Sequence, residues 1–270
     1  MKSKLRNVFI NYSDALRCKC AVCFSCRLTF PGFILPVIFL FSCTGEQLDD
    51  CFTKTGPDVT LERSVEAFHS IELYNNVNLV LIPGSQQELR IEGGKNLLDA
   101  IKTEVSDSTL TIKSTLKCNW VRNYDREITV YATVAALRHI RYESSGDINC
   151  SGPLQTDSLK VSVWGGGGSI NMDVNVQKLT LEMHYGTADF SCKGRSLITT
   201  IFSNSYGPFY CRDLVSNILY IRHNGTQHCY VHALHILEVE ISSVGNIYYY
   251  GDPYQMKSNI TGSGKLLRGE

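Results

Sequence analysis

Apolar residues in the second half of the chain return on two nested periods. Within short segments such as LKVSVW (159–164) and SINMDV (169–174) they alternate with polar ones, the spacing of a strand that buries one face. Between segments an aliphatic or Met anchor returns every 18 to 22 residues, at Leu137, Leu159, Leu179, Ile198, Leu219, Leu237 and Met256. Eleven residues after each anchor stands a second, mostly apolar mark: Ile148, Ile170, Phe190, Phe209, Tyr230, Tyr248 and Leu267. A turn rich in Gly, Ser or Asn lies between the two marks each time: SSGD, GGGGS, YGTAD, SYGP, NGT, SVG and TGSG. A repeat near 20 residues with strand-like alternation inside it predicts a solenoid whose coils bury their apolar faces only by stacking. The expected fold is all-β, a right-handed parallel β-helix-like solenoid over 135–270.

Residues 59–134 also alternate but show no repeat, and predict an N-terminal β-strand section. SIELYNNVNLVLIPG (70–84) reads as two strands, the second stopped by Pro83-Gly84. LRIEGG, TLTIKS and REITVYATV add three more, and NLLDAIKTEV (96–105) fits either one helical turn or an extended segment. This section is expected to cap one end of the stack, with the charged run 265–270 blunting the other.

The amino end has a different character. Six basic residues precede an apolar run from Leu28 to Phe41, the length of a signal-peptide core and too short for a comfortable membrane span. Leu40-Phe41-Ser42-Cys43 resembles a bacterial lipobox, although Phe41 is bulkier than the residue usual there. The reading is a leader over 1–43 with lipid on Cys43, and a polar tether over 44–58; an uncleaved anchor or a plain secretory peptide are the alternatives. Four cysteines between Cys18 and Cys26 abut this leader, where a folded zinc module is not expected.

Charge narrows the partners. Lys+Arg and Asp+Glu are 26 each, so no basic excess points to nucleic acid. Cys150, Cys192 and Cys211 each fall 13 residues after their anchors, which predicts a stacked row inside the solenoid in preference to a disulfide framework. The four-Gly run 165–168 lacks the Lys-Ser/Thr of a phosphate loop and reads as a turn. The sharpest metal candidate is His228 with His232, on one face of a strand; surface histidines are the simpler reading, and no cofactor is expected. Carboxylates such as Asp147 and Asp189 are scattered along turns, with no catalytic pair evident.

Several motifs resemble the head GIN domain family of Bacteroidota, the auto-transporter adhesin-like family. They are Phe68-His-Ser-Ile71, the Pro83-Gly84 turn, Asn96-Leu-Leu, the turns at 144–148, 166–170 and 242–247, Tyr250-Gly251-Asp-Pro253, and Thr261-Gly-Ser-Gly264. The likeness spans about 59–266 and departs at Tyr185-Gly-Thr and Tyr206-Gly-Pro. It implies a β-solenoid in the cell envelope and no established reaction. Adding the leader, the expectation is an exported, lipid-anchored protein of the outer membrane or cell surface, attached to the membrane by its N-terminal lipid. Its role would be to bind a glycan or a surface protein without catalysis. Tyr185, Tyr206, Tyr230, Tyr248 and Tyr249 are the candidate binding surface. The alternative is a carbohydrate-active β-helix enzyme. The oligomeric state is not readable from the sequence.

Overall fold

The computed structural model describes residues 55–116 and 127–270. The expected leader, Cys43 and nearly all of the tether lie outside the described residues. What is described is all-β, a parallel β-solenoid of about six turns of roughly 20-residue coils. Where 96–105 left two readings open, a single 3-10 turn at Leu98–Ala100 leads straight into a strand.

Two walls of strands face each other across the core. The first wall stacks β2 (Ser70–Asn75), β6 (Thr109–Ser114), β8 (His139–Ser144), the second halves of five long strands, and β16 (Gln255–Ile260). The long strands are β10 (Leu154–Gly166), β11 (Ser169–Met183), β12 (Asp189–Ser203), β13 (Phe209–His223) and β14 (Cys229–Ile241). The second wall holds β3 (Asn78–Pro83), β7 (Thr129–Val134), β9 (Ile148–Cys150), the first halves of β11 to β14, then β15 (Ile247–Tyr250) and β17 (Leu266–Arg268). Pairing within both walls is parallel and almost wholly in register, so each inward position becomes a row. Val161, Leu181, Ile201, Ile221 and Val239 form one such row on the first wall. On the second, Ile148, Ile170, Phe190, Phe209, Cys229 and Ile247 form another. The rings of Phe190 and Phe209 stack with centroids 5.3 Å apart.

The coils do not stack in chain order. β2 lies between β6 and β8, and β3 between β7 and β9. After forming β2 and β3 the chain runs outward through β4 (Leu89–Gly94), β5 (Ile101–Ser106) and the β6–β7 coil. It then returns to the other side of β2–β3 to start β8. The stack therefore runs continuously across residue 135. Its outer end carries the antiparallel pairs β5–β6, β4–β7 and β1 (Asp58–Arg63) with β4. Arg63 ties this end together by donating to the carbonyls of Ile101 and Leu98 and to Thr103 Oγ1.

Four marks of the repeat sit one residue off the interior. Thr199, not Ile198, lines up with Leu179 and Leu219, and its buried hydroxyl bonds Ser216 Oγ at 2.7 Å. Likewise Cys229, Ile247 and Leu266 continue the row of Phe209, which places Tyr230, Tyr248 and Leu267 on the opposite face. In a strand a slip of one residue exchanges inside for outside.

Turns stack as closely as strands. Tyr142 Oη donates to Gly146 O at 2.8 Å and accepts from Gly168 N at 3.0 Å, bridging two successive turns. Asp147, one of the scattered carboxylates, accepts the backbone N–H of Ser169 in the next coil at 2.7 Å. The glycine run is a turn built by backbone approach, with no phosphate-loop geometry. Gly166 has φ +97°, and a Cβ there would stand 1.7 Å from Ser144 O, whereas one at Gly165 would meet nothing within 4 Å.

The expected cysteine row exists. Cys150 follows Leu81, Cys192 follows Met172, and Cys211 precedes Val231; all of them, with Cys229, carry free thiols. Cys229 Sγ lies 3.5 Å from His223 Nδ1. The pair resembles a nucleophile and base but is closed to solvent, both residues being 0% exposed. Burial pushes the thiol up to about 12 and the imidazole down from 6.5 to about 4, so both stay neutral.

Two outcomes follow from this packing. Gly166→Ala loses about 2 kcal/mol or more in urea unfolding, from strain at positive φ and the clash with Ser144 O, while Gly165→Ala stays within about 0.5 kcal/mol of the parent. Equal losses at the two neighbours would show that backbone approach does not set the turn. For His223, the unfolded chain takes up a proton below pH 6.5 that the folded chain refuses until about pH 4. Stability therefore falls as the pH drops through that window, by up to about 3 kcal/mol. His223→Gln flattens this loss; identical pH slopes in the two proteins would contradict it.

Candidate functional site

Outward positions on the second wall also form rows. The second residue of each coil on this wall gives Asn149, Asn171, Ser191, Tyr210, Tyr230 and Tyr248 in sequence along the stack. In-register pairing sets the rung spacing at about 4.8 Å, close enough for like side chains to pair. Asn171 Nδ2 donates to Asn149 Oδ1 at 2.9 Å. The rings of Tyr210 and Tyr230 stack at 5.6 Å and 15°, and those of Tyr230 and Tyr248 at 5.1 Å and 11°. Burial and the neighbouring phenols of Tyr248 and Tyr210 push the Tyr230 hydroxyl above its ordinary range.

The row has a step in it. Ser191 is small and occupies the rung beside Tyr210, so one face of Tyr210 carries no ring, and its side is 48% exposed. Around the step lies an open groove of about 610 Å³, lined by Asn149, Asn171, Tyr210 and Tyr230 from this row. The adjacent corner adds Asp173, Lys193, Arg212, Asp213 and Tyr250. Lys193 Nζ pairs with Asp173 Oδ2 at 3.4 Å, and the Arg212 guanidinium lies over the Tyr250 ring at 4.5 Å. Cations and carboxylates balance, and the groove presents one open aromatic face, a pair of amides and neutralised charge. Such a set suits a neutral ligand with both apolar faces and hydroxyl edges.

Cys150 and Cys192 reach the groove floor, but burial pushes the first thiol up to about 11 and the second well above its ordinary range. Neither supplies a thiolate nucleophile.

The five tyrosines read from the sequence separate into three places. Tyr230 and Tyr248 belong to the stack, although Tyr248 does not line the groove. Tyr249 is next in sequence and so on the other face, where it follows Val231 and packs against the core. Tyr185 and Tyr206 are 63% and 66% exposed on turns, and among the described residues no ring contact joins them to the stack. Tyr210 was missed because the count of eleven from Ile198 lands on Phe209. Continuing Tyr230 back by strand parity, with Cys229 and Phe209 inside, would have found it.

The metal candidate does not hold. His228 and His232 do share a face, but four residues of strand separate them by roughly 13 Å. Each is engaged otherwise: His228 Nδ1 accepts Asn246 N at 3.1 Å, and His232 Nδ1 contacts Arg212 O at 3.2 Å. Among the described residues no three His, Cys, Asp or Glu side chains are grouped to hold a metal ion.

The opposite wall has a second groove, of about 500 Å³, between Tyr220, Arg222, Glu240 and Lys257. Arg222 Nε bonds Glu240 Oε2 across it at 2.8 Å. Further along that wall Trp164 stacks on His184 at 4.0 Å, while Glu182 binds Lys160 and His184.

Solved structures share the fold. A "putative adhesin" of Bacteroides fragilis superposes with a TM-score of 0.73 at 23% identity, covering 79% of this chain and 97% of its own. A "putative lipid binding protein" of Parabacteroides distasonis gives 0.62 at 18% identity, covering 80% and 98%. A "putative adhesin" of Parabacteroides merdae gives 0.53 at 15%, covering 80% and 97%. No curated protein matches the chain. Residues 67–253 match the family described as "Putative auto-transporter adhesin, head GIN domain", and with that match across most of its length the chain belongs to this family.

Proposed function

We propose that the protein is an exported, lipid-anchored envelope scaffold that binds a glycan in the groove beside Tyr210 and performs no reaction on it. The observation that carries this reading is the interrupted aromatic row. Tyr210 and Tyr230 form a rigid wall whose last open ring face looks onto Ser191, with Asn171 and Asn149 on the next rungs. A sugar ring places its C–H face on such an aromatic surface and turns its hydroxyls to flanking amides and charged groups. Family membership and the apolar leader ending at Cys43 support the envelope setting. Asp173, Lys193, Arg212 and Asp213 in the lining offer partners for hydroxyl groups.

A panel of unbranched tetrasaccharides, covering β-glucans, chitin and mannan fragments, tests this by titration against the purified protein. At least one binds the parent, Tyr210→Ala weakens it about tenfold, and Tyr248→Ala, Tyr185→Ala and Tyr206→Ala leave it within about twofold. Absence of binding across the panel at millimolar sugar would sink the glycan reading; equal loss at Tyr185 would move the site to the turns.

Asp173 and Asp213 share the groove, which favours a second reading as a glycan-cleaving enzyme. Its signature is release of new reducing ends or unsaturated products from the same panel, abolished in Asp173→Asn. On the reading proposed here, the oligosaccharides are recovered intact.

The anchor has its own measurement. Cells fed labelled palmitate incorporate it into the parent chain and not into Cys43→Ala; label retained in the variant would place the lipid elsewhere.

A further inference from the structure

One end of the solenoid is left open. β16 pairs with β14 on one edge, and among the described residues nothing pairs with its other edge. All six of its residues are exposed, including those in line with the core. Leu237, Val239 and Ile241 are at most 5% exposed, whereas Met256 and Ile260, one rung further out, are 44% and 43% exposed, and Tyr254 beside them is 80%. The charged run 265–270 does not shield this strand, since β17 continues the other wall, on β15.

The other end differs in kind. There the edges are antiparallel, β5 presents Lys102 and Glu104, and Arg63 binds across the terminal strands. Charges on an edge deter strand addition. A second solenoid therefore has no matching surface at that end, and head-to-tail stacking is disfavoured.

We infer that two copies of this chain join through their open ends about a twofold axis, with β16 pairing antiparallel to β16 of the second copy. Twofold symmetry requires antiparallel pairing of a strand with itself, and the pleat requires partners to lie on the same face. Those conditions leave registers centred on single residues. Centring on Lys257 would set two ammonium groups opposite each other, an unfavourable pair. Centring on Ser258 sets Met256 against Ile260 of the second copy and Lys257 against Asn259. The apolar interior then runs on through the junction, and each lysine faces an amide. The row Leu237–Met256 and the row Ile241–Ile260 each gain the cover that their other members already have.

Cysteine cross-linking of the full chain, expressed in cells that export it, reads this register. In pairs centred on Ser258 the Cβ atoms of the two copies lie about 4.5–5.5 Å apart, within slight adjustment of disulfide reach. Ser258→Cys gives a disulfide-linked dimer on a non-reducing gel after mild oxidation. Lys257→Cys alone does not, because its counterpart lies diagonally at about 7–8 Å. Differently tagged Lys257→Cys and Asn259→Cys, expressed together, form the mixed dimer. Ile260→Lys placed in the Ser258→Cys chain removes the cross-link, and unchanged far-UV circular dichroism shows that the fold persists. A Ser258→Cys chain that stays monomeric, or one that still cross-links with Ile260→Lys, overturns the inference, as does equal cross-linking at Lys257.

Discussion

In-register parallel stacking is the constraint on which everything else in this protein rests. Each strand of a wall gives its backbone bonds to the strands on either side, and the pleat then assigns every residue to the inside or the outside of its rung. A residue thus has two neighbours of the same index, one coil before and one after. The core is a set of rows, and so is the surface. Buried polar groups obey the same rule: Thr199 sits between Leu179 and Leu219 because its hydroxyl finds Ser216, one coil on. The turns must also stack, which brings backbone against backbone at Gly166 and Gly168 and leaves no room for a side chain at either.

A surface made of rows favours recognition of extended ligands, because a contact made on one rung has a counterpart on the next. Here the counterpart changes along the row, from amides at Asn149 and Asn171, through Ser191, to the rings of Tyr210, Tyr230 and Tyr248. Where the row changes from small to large, the surface drops by the height of a ring and a groove appears. The thiols at its floor are protonated by burial, so neither is an activated nucleophile.

Stacking also explains the contrast between the two ends. A parallel stack always has two free edges, and this chain treats them differently. At one end the chain folds back out of order, with β6–β7 laid outside β2–β3 and antiparallel strands laid over them. At the other, β16 carries apolar residues in core positions, and among the described residues no strand pairs with its outer edge.

The amino-acid pattern alone determined the fold class, the coil length, the turns and the interior cysteine row, because a 20-residue repeat of alternating segments can bury its apolar faces in few other ways. It placed Leu159, Leu179, Leu219 and Leu237 correctly. Where a coil gained or lost a residue, at Ile198 and again before Tyr230, counting went out of phase by one, and one residue is enough to exchange core for surface. Only the tertiary structure decided that β2–β3 is a coil in the middle of the stack, since its repeat partners are reached by a crossover and leave no local period. It also decided that Tyr249 packs inward, that His228 and His232 are too far apart to share an ion, and that Tyr210 opens the groove. Each of these depends on which rungs are neighbours, and neighbourhood in a solenoid is set by backbone pairing between coils, which no single segment of sequence contains.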